Sequence, residues 1–193
     1  MSATDVTIAN KALALVGANT ISTFDGETTE QVAATQLYEM MYEAALTAHR
    51  WRFATGKTQL TRKAETPLSH WDAAYSMPSQ PRILLLNGVS VLDAQIEYDR
   101  FENDIYCNAA EADTVVADYI YQVNEADLPP YFVKAFVYDL ASAFATAITQ
   151  DASVALLFEQ LSTKEWSKAR FAESSSQTAR HVNARSLINK RRG

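Results

Sequence analysis

The apolar residues near the start of the chain recur every three or four positions, which is the period of an α-helix. Between residues 5 and 16 this stripe comprises Val6, Ala9, Leu13 and Val16. Thr4 or Asp5 can cap the start of the helix, and Gly17 suits its end because glycine enters the left-handed region without strain. The pattern therefore predicts a first helix over residues 5–16 and a loop over residues 18–27.

A second helical pattern opens with a capping-box sequence, Thr28 to Gln31, and continues to about Arg50. Its predicted core face is rich in alanine, which permits a neighbouring helix to approach closely. That face consists of Ala33, Leu37, Met40, Met41, Ala44 and Ala48. We assign the first two helices, within residues 1–56, to one half of a helical bundle.

The middle of the chain has short runs of strand-forming residues instead. Prolines exclude a helix between residues 64 and 81. Strands are predicted at residues 83–86, 95–98, 104–107 and 114–122. Asn87-Gly88 predicts a turn after the first of these strands, and residues 100–103 a turn before the third. Residues 57–127 are therefore predicted to form a small antiparallel sheet.

Helical periodicity returns within residues 128–176. Asp127 is the expected cap of a third helix and Asp151 that of a fourth, and the short link between them predicts an antiparallel pair. Their expected core residues are Val133, Phe136, Val137, Leu140, Phe144 and Ala147, then Val154, Leu157, Phe158, Leu161 and Ala169. The predicted fold class is α+β, mainly α: a four-helix bundle with a small antiparallel sheet inserted between helices 2 and 3.

Charge is distributed unevenly along the 193 residues, of which 48% are hydrophobic and 21% charged. The net charge of −6 and a tail of +5 leave −11 for residues 1–173. The tail, residues 177–193, carries Arg180, Arg185, Lys190, Arg191 and Arg192. An acidic body argues against tight wrapping of DNA, which needs a basic surface. The tail could contact nucleic acid, contact an acidic protein surface, fold on binding to a partner, or only keep the chain end in solution.

Targeting signals and disulfide cysteines are not recognisable in the sequence. No apolar run approaches the roughly 20 residues that span a bilayer, and the N-terminus does not resemble a signal peptide. Cys107 is the one cysteine, so it cannot form an internal disulfide, which suits a protein made in a reducing cytoplasm. We therefore expect no membrane partner.

Side chains suited to catalysis or metal binding are few and scattered. The histidines are far apart in the sequence: His49, His70 and His181. Cys107 lies within a predicted strand, and acid pairs such as Asp25 with Glu27 fit solvated turns. Phosphate-binding and nucleophile motifs are not found in the sequence. We therefore predict no catalytic, cofactor-binding or metal-binding residues, no cofactor, and a protein that is not an enzyme.

Aromatic residues concentrate where the second helix ends and in the predicted sheet. Those expected in the core or at a subunit interface are Trp51, Phe53, Trp71, Tyr75, Tyr119 and Tyr121. The basic residues around Trp51 suit a helix C-terminus, where positive charge is favourable. A nucleic-acid platform of arginine and tryptophan is the open alternative there.

Several short motifs appear in an order that resembles a known family over residues 5–172. They are Asn10-x-Ala12-Leu13-x-x-Val16-Gly17, Ile21-Ser22, Ala33-Ala34-x-x-Leu37, Trp51-x-Phe53-Ala54, Trp71-x-x-x-Tyr75-x-x-Pro78, and Tyr119-Ile120 before Pro129-Pro130-x-Phe132. This ordered set resembles the head-to-tail adaptor family of short-tailed bacteriophages, also called the tail tubular protein A family.

The resemblance implies a structural virion protein of the tail and neck, assembled in the host cytoplasm. Family members form a homo-oligomeric ring, of twelve copies, that connects the portal protein to the tail nozzle or tail tube protein. The ring leaves a channel through which DNA passes during genome ejection without sequence-specific binding. By analogy the basic tail orders against the portal. Two other functions stay open, a cell-envelope hydrolase, which needs a carboxylate pair in a cleft, and a single-stranded nucleic-acid-binding module.

Overall fold

The computed structural model describes residues 4–65, 67 and 70–175. Within them the helices are α1 Asp5–Leu15, α2 Thr29–Thr47, α3 Pro130–Phe144 and α4 Ala152–Ser175. The strands are β1 Thr55–Gln59, β2 Thr61–Arg62, β3 Ala73–Ser76, β4 Ile83–Val91, β5 Ala94–Gln95, β6 Tyr98–Phe101, β7 Asp104–Cys107 and β8 Val115–Tyr121. Short 3-10 turns at Arg52–Ala54 and Glu125–Asp127 precede β1 and α3, and a π-helical turn at Ala145–Thr149 extends α3.

Three of the helix starts follow the local capping signals. The hydroxyls of Thr4 and Thr28 each accept a hydrogen bond from the backbone N–H three residues later, at 3.2 and 3.3 Å. The Asp151 carboxylate accepts one from the amide of Ser153 at 2.9 Å. Gly17, just after α1, has a φ of +73°, which glycine adopts without a steric penalty. The predicted caps of α1, α2 and α4 are confirmed.

Two other local predictions are wrong. Asp127 lies in the 3-10 turn before α3, and α3 begins without a side-chain cap. Asn87 and Gly88 do not turn the chain but lie inside β4, at an irregularity in its pairing with β8. The turn comes later, at Leu92 and Asp93, whose φ values of 50° and 65° are those of a tight hairpin. Pairing with β8 keeps β4 extended past the turn-forming dipeptide.

The strands form two four-stranded sheets, ordered β1-β8-β4-β5 and β2-β3-β7-β6, in which every neighbouring pair is antiparallel. The chain passes between the sheets four times, after β1, β3, β5 and β7, and two of these connections are very short. Leu60, which is 4% exposed, separates β1 from β2, and residues 96–97 separate β5 from β6. Such corners are typical of two sheets packed face to face across a shared core.

The two sheets bury a core of their own. It consists of Leu60, Ala73, Tyr75, Met77, Val89, Ile105, Cys107, Ala109, Val115, Ala117 and Tyr119. Because side chains alternate along a strand, β8 faces both ways: Ala117 and Tyr119 enter this core, whereas Ile120 enters the core of the helices. The strand β8 is therefore the wall between the two cores.

The second core lies among the helices and is centred on α3. Phe132, Phe136, Leu140 and Phe144 of this helix are fully buried. The helices α1, α2 and α4 each pack on α3, and β8 packs against α2. The helices α1, α2 and α4 therefore pack around the apolar helix α3, and the sheet that contains β8 covers one side of this group.

The prediction of a four-helix bundle with a small antiparallel sheet inserted between helices 2 and 3 is wrong, although the α+β class holds. The helices are grouped around α3 and a sheet, and the β-region is two sheets with a separate core. The sequence indicates an extended exit from the second helix but does not identify the paired strands β1 and β2 in it, TGKTQ and TR, and it misses β3, AAYS. These strands lack an alternation of large apolar and polar residues, so only pairing with β8 and β7 makes them extended.

The face of α2 that enters the core also differs from the prediction. Met40 is 60% exposed, and Ala44 and Ala48 are exposed as well. The buried stripe contains two tyrosines, Tyr38 and Tyr42, at helical spacing. Tyrosine rings contribute the buried area there, because each ring is large and apolar apart from its hydroxyl.

One helical stretch in the described part of the chain, Pro130–Thr149, is long and apolar enough to cross a bilayer. The expectation that no run of this length exists is therefore wrong. Half of the stretch is buried inside this fold. Its apolar character is accounted for by its place at the centre of the helical core.

Candidate functional site

The aromatic residues that the sequence singled out lie in two separate regions. Trp51 and Phe53 belong to the helical core, where the ring of Trp51 lies 5.3 Å from that of Phe132 and 5.8 Å from that of Trp166. The indole N–H of Trp51 donates to the carbonyl of Ala45 at 2.9 Å. These contacts fix the exit from α2 against α3 and α4.

Of the other four aromatic residues, Tyr75, Tyr119 and Tyr121 lie in strands and Trp71 lies just before β3. Tyr75 and Tyr119 are 2% and 6% exposed and fill the β core. The indole of Trp71 donates to the Asp99 carboxylate at 2.9 Å, and the hydroxyl of Tyr121 donates to a carbonyl of the turn before β1 at 3.1 Å. Each of the four therefore has a packing or hydrogen-bonding role inside one copy of the chain.

The tail arginines and lysine (Arg180, Arg185, Lys190, Arg191 and Arg192) and His181 lie outside the described residues. Within the described residues no group of three or more His, Cys, Asp or Glu side chains is arranged to hold a metal ion. Cys107 is fully buried. Burial raises the pKa of its thiol, which disfavours the reactive thiolate.

An apolar groove of about 680 Å³ lies between α1 and α3. It is lined by Leu15 from α1 and by Val133 and Val137 from α3, with Lys11 and Lys134 beside them. Leu15 is 42% exposed, so an apolar side chain here faces solvent in the single chain. We refer to these residues as the α1–α3 groove.

The outer surface of α4 is a second apolar region. Leu156, Leu157 and Phe171 are 57%, 53% and 75% exposed. At 3.6 residues per turn, the three side chains fall within about 100° of one another around the helix. The opposite face of α4, including Phe158 and Ala169, is buried against the helical core. We call the three exposed residues the α4 outer face; they share one side of the helix, with Phe171 about 21 Å from Leu157 along its axis.

A third feature is an acidic cleft of about 310 Å³ between the start of α1, the first half of α2 and the 3-10 turn before α3. Its charged and aromatic lining consists of Asp5, Phe24, Tyr38, Glu39, Tyr42 and Glu125. Burial raises the pKa of Glu125, with a smaller contribution from the charge of Asp5. Burial, assisted by the charge of Glu125, likewise raises the pKa of Tyr38.

No local pattern in the sequence indicates this cleft. Its carboxylates come from Asp5, Glu39 and Glu125, which are far apart along the chain and meet only because α1 and α2 both pack on α3. The one local signal was the spacing of Tyr38 and Tyr42, four residues apart on the same helical face. Read as an aromatic stripe, that spacing would have identified one wall of the cleft.

A buried carboxylate holds the end of α4 in place. Glu173 is 4% exposed, accepts a hydrogen bond from the amide of Arg52 at 2.7 Å, and accepts another from the hydroxyl of Tyr131. These bonds join α4 to the turn after α2 and to the first turn of α3. The point at which the chain leaves the described region is therefore fixed beside the C-terminal end of α2.

Compared with known proteins, the chain matches no protein-family model, and no curated protein shows significant similarity to it. The resemblance to phage adaptors carried by the motifs above stays a prediction.

Proposed function

We propose that this protein is a structural subunit of a bacteriophage neck. Copies of the chain assemble side by side into a ring that joins the portal protein to the tail nozzle or tail tube and leaves a channel for the genome. The proposal is supported by the ordered motifs that resemble the adaptor family. It is supported independently by the positions of the exposed apolar residues in the fold.

The observation that carries the proposal is the pair of separate apolar surfaces, the α1–α3 groove and the α4 outer face. A ring of identical copies needs a heterologous contact, in which one surface of a copy meets a different surface of the next. Such a contact closes on itself when the rotation between copies divides a full turn. The α4 outer face of one copy would pack on the α1–α3 groove of its neighbour.

The charge of the chain suits a channel that DNA crosses without being held. Residues 1–173 carry −11 of charge, because the net charge is −6 and the tail carries +5. An acidic channel wall repels the phosphates of DNA, so the genome would not bind the wall during ejection. In this arrangement the β-region faces the tail of the phage. The basic C-terminal segment, Arg180 to Arg192, would contact the portal.

The test is negative-stain microscopy of the purified chain mixed with portal complexes of the same phage. We expect an annulus of twelve copies on the portal. A variant with both Leu157→Glu and Phe171→Glu should bind without forming a closed annulus, because each carboxylate would be buried at the contact. Leu92→Glu is the matched control, since Leu92 is 90% exposed in the β4–β5 turn, away from both surfaces.

Two results would overturn the proposal. The first is a folded chain that forms no ring with the portal at any concentration. The second is a ring that forms equally well with the double variant and with the control, because the α4 outer face would then have no part in it. Salt-dependent binding of oligonucleotides, or release of cell-envelope fragments by the purified chain, would favour the nucleic-acid-binding or hydrolase alternatives instead.

A further inference from the structure

The two ends of α4 are held on the body of the protein by different contacts. In its first half the side chains of Phe158 and Ser162 are buried. Past Ala169, Glu173 is the one buried residue in the described part of the helix. The other residues of the last turn are exposed or only half-buried: Arg170, Phe171, Ala172, Ser174 and Ser175. The end of α4 that carries Phe171 therefore buries little apolar surface.

A single carboxylate fastens this end of the helix. Glu173 accepts a hydrogen bond from the backbone N–H of Arg52 at 2.7 Å and another from the hydroxyl of Tyr131. Burial, together with the hydrogen bond to Glu173 and the charge of that carboxylate, raises the pKa of the Tyr131 hydroxyl, which therefore keeps its proton and donates. We refer to Glu173, with these two donors, as the α4 latch.

The latch fixes geometry more than it adds stability. Taking a carboxylate out of water costs free energy that offsets much of what its hydrogen bonds contribute, and an apolar side chain of similar volume would avoid this cost. A carboxylate, however, accepts hydrogen bonds only where its donors converge. The donors come from the turn after α2 and the first turn of α3, so the last turn of α4 has one position relative to both.

The last turn is poorly held by its own hydrogen bonds. The hydroxyls of Ser174 and Ser175 both donate to the backbone carbonyl of Phe171. Serine hydroxyls that bond to a carbonyl in the preceding turn compete with the backbone ladder and slightly destabilise a helix. Without the contacts of Glu173 this turn would therefore fray.

The latch and the exposed phenylalanine lie on opposite sides of the same helical turn. Glu173 is two residues after Phe171, which places the two side chains about 160° apart around the helix. Phe171 is 75% exposed, whereas Glu173 is 4% exposed. Any movement that takes Glu173 away from its donors therefore also moves Phe171, while Leu157, about 21 Å away along the axis, keeps its place.

We propose that Glu173 is a positioning residue for the ring, a latch that holds Phe171 where the neighbouring copy meets it. This role rests on the proposed function, in which the α4 outer face of one copy packs on the α1–α3 groove of the next. Opening the latch frays the last turn and removes Phe171 from the contact. Because coupling between two sites is reciprocal, a neighbour bound at Phe171 also keeps the latch closed.

Hydrogen exchange read by mass spectrometry tests the latch in the free chain, whether or not rings form. Glu173→Ala should speed exchange over residues 170–175 by about tenfold or more, because two hydrogen bonds to a charged group are lost. Exchange over residues 153–162 should stay at the wild-type rate. Glu173→Gln should show a smaller effect, since its amide oxygen still accepts from Arg52.

The matched control is the other buried polar residue of α4. The hydroxyl of Ser162 donates to Asp139 of α3 at 2.8 Å. Ser162→Ala removes this bond in the middle of the helix and should not speed exchange over residues 170–175 selectively. Tyr131→Phe keeps the ring and removes one of the two bonds to Glu173, so it should give a smaller acceleration than Glu173→Ala. It decides the matter if Glu173→Ala does not fold.

Negative-stain microscopy of the same variants mixed with portal complexes tests the link to the ring. Glu173→Ala should reduce the fraction of closed annuli severalfold, and Ser162→Ala should leave it at the wild-type level. In assembled wild-type rings, exchange over residues 170–175 should be slower than in the free chain, because the neighbour holds the latch closed.

Failure of the latch and failure of the ring give different results. Unchanged exchange over residues 170–175 in Glu173→Ala would overturn the latch, as would an equal acceleration along all of α4, which is a general loss of stability. Faster exchange with wild-type numbers of annuli would overturn its role in the ring. A wild-type chain that forms no annulus would overturn the ring and that role together, while the exchange rates would still show whether Glu173 holds the last turn.

Discussion

The two stacked tyrosines of α2 allow one hydrogen bond to be measured against a built-in control. Tyr42 is 1% exposed and its hydroxyl donates to the carbonyl of Val123 at 2.7 Å. In Tyr42→Phe this buried carbonyl loses its partner, and we expect the free energy of unfolding to fall by about 1–3 kcal/mol. In Tyr38→Phe the hydroxyl removed has only the nearby Glu125 carboxylate as an acceptor and makes no full hydrogen bond, so we expect a smaller loss than in Tyr42→Phe.

The comparison is matched because the rings lie on the same helix, with centroids 6.1 Å apart, and both variants keep the ring. Urea denaturation followed by circular dichroism gives the two free energies of unfolding. Equal effects of the two substitutions would refute the reasoning, as would a larger loss for Tyr38→Phe. Either result would mean that the hydrogen-bond assignment of these hydroxyls is wrong.

Three further predictions concern the core, the cleft and the cysteine. Phe136→Ala should lower the free energy of unfolding by about 3–5 kcal/mol in urea titrations, because the ring is fully buried, while Phe171→Ala, 75% exposed, should change it by less than about 0.5 kcal/mol. The pKa of Glu125 is raised above its ordinary value of 4.5, so protonation stabilises the fold below that value and this stabilisation is lost as the pH rises through the folded-state pKa. In thermal melts at high salt, Glu125→Gln should therefore be more stable than the wild type at pH 7 and equally stable near pH 4. The same difference in stability at both pH values would contradict this. Cys107 should react with a thiol reagent only after denaturation, and rapid labelling of the native protein would show that the β core opens.

The positions of the helices depend on local signals, and those signals are present in the sequence. The side-chain oxygens of Thr4, Thr28 and Asp151 accept hydrogen bonds from backbone N–H groups no more than three residues further along the chain. The apolar spacing of α3 placed Phe136, Leu140 and Phe144 in the core correctly. Such features are predictable because each involves residues adjacent along one helix.

The pairing of the strands and the orientation of α2 depended on distant parts of the chain. The strands β1 and β3 are extended because β8 and β7 pair with them, and Gly88 stays in β4 for the same reason. Which face of α2 is buried was decided by α3, whose phenylalanines contact Tyr38 and Tyr42. Periodicity identifies a helix but does not say where its neighbours lie.

The sequence alone determined the α+β class, the four helices with most of their caps, and the charge contrast between body and tail. Only the tertiary structure decided that the strands form two sheets with a separate core. It alone joined Asp5 to Glu125 in one cleft and left Leu157 and Phe171 exposed on α4. The physical reason is range: capping and periodicity act between residues a few positions apart, whereas a cleft or a contact surface arises from the packing of whole elements.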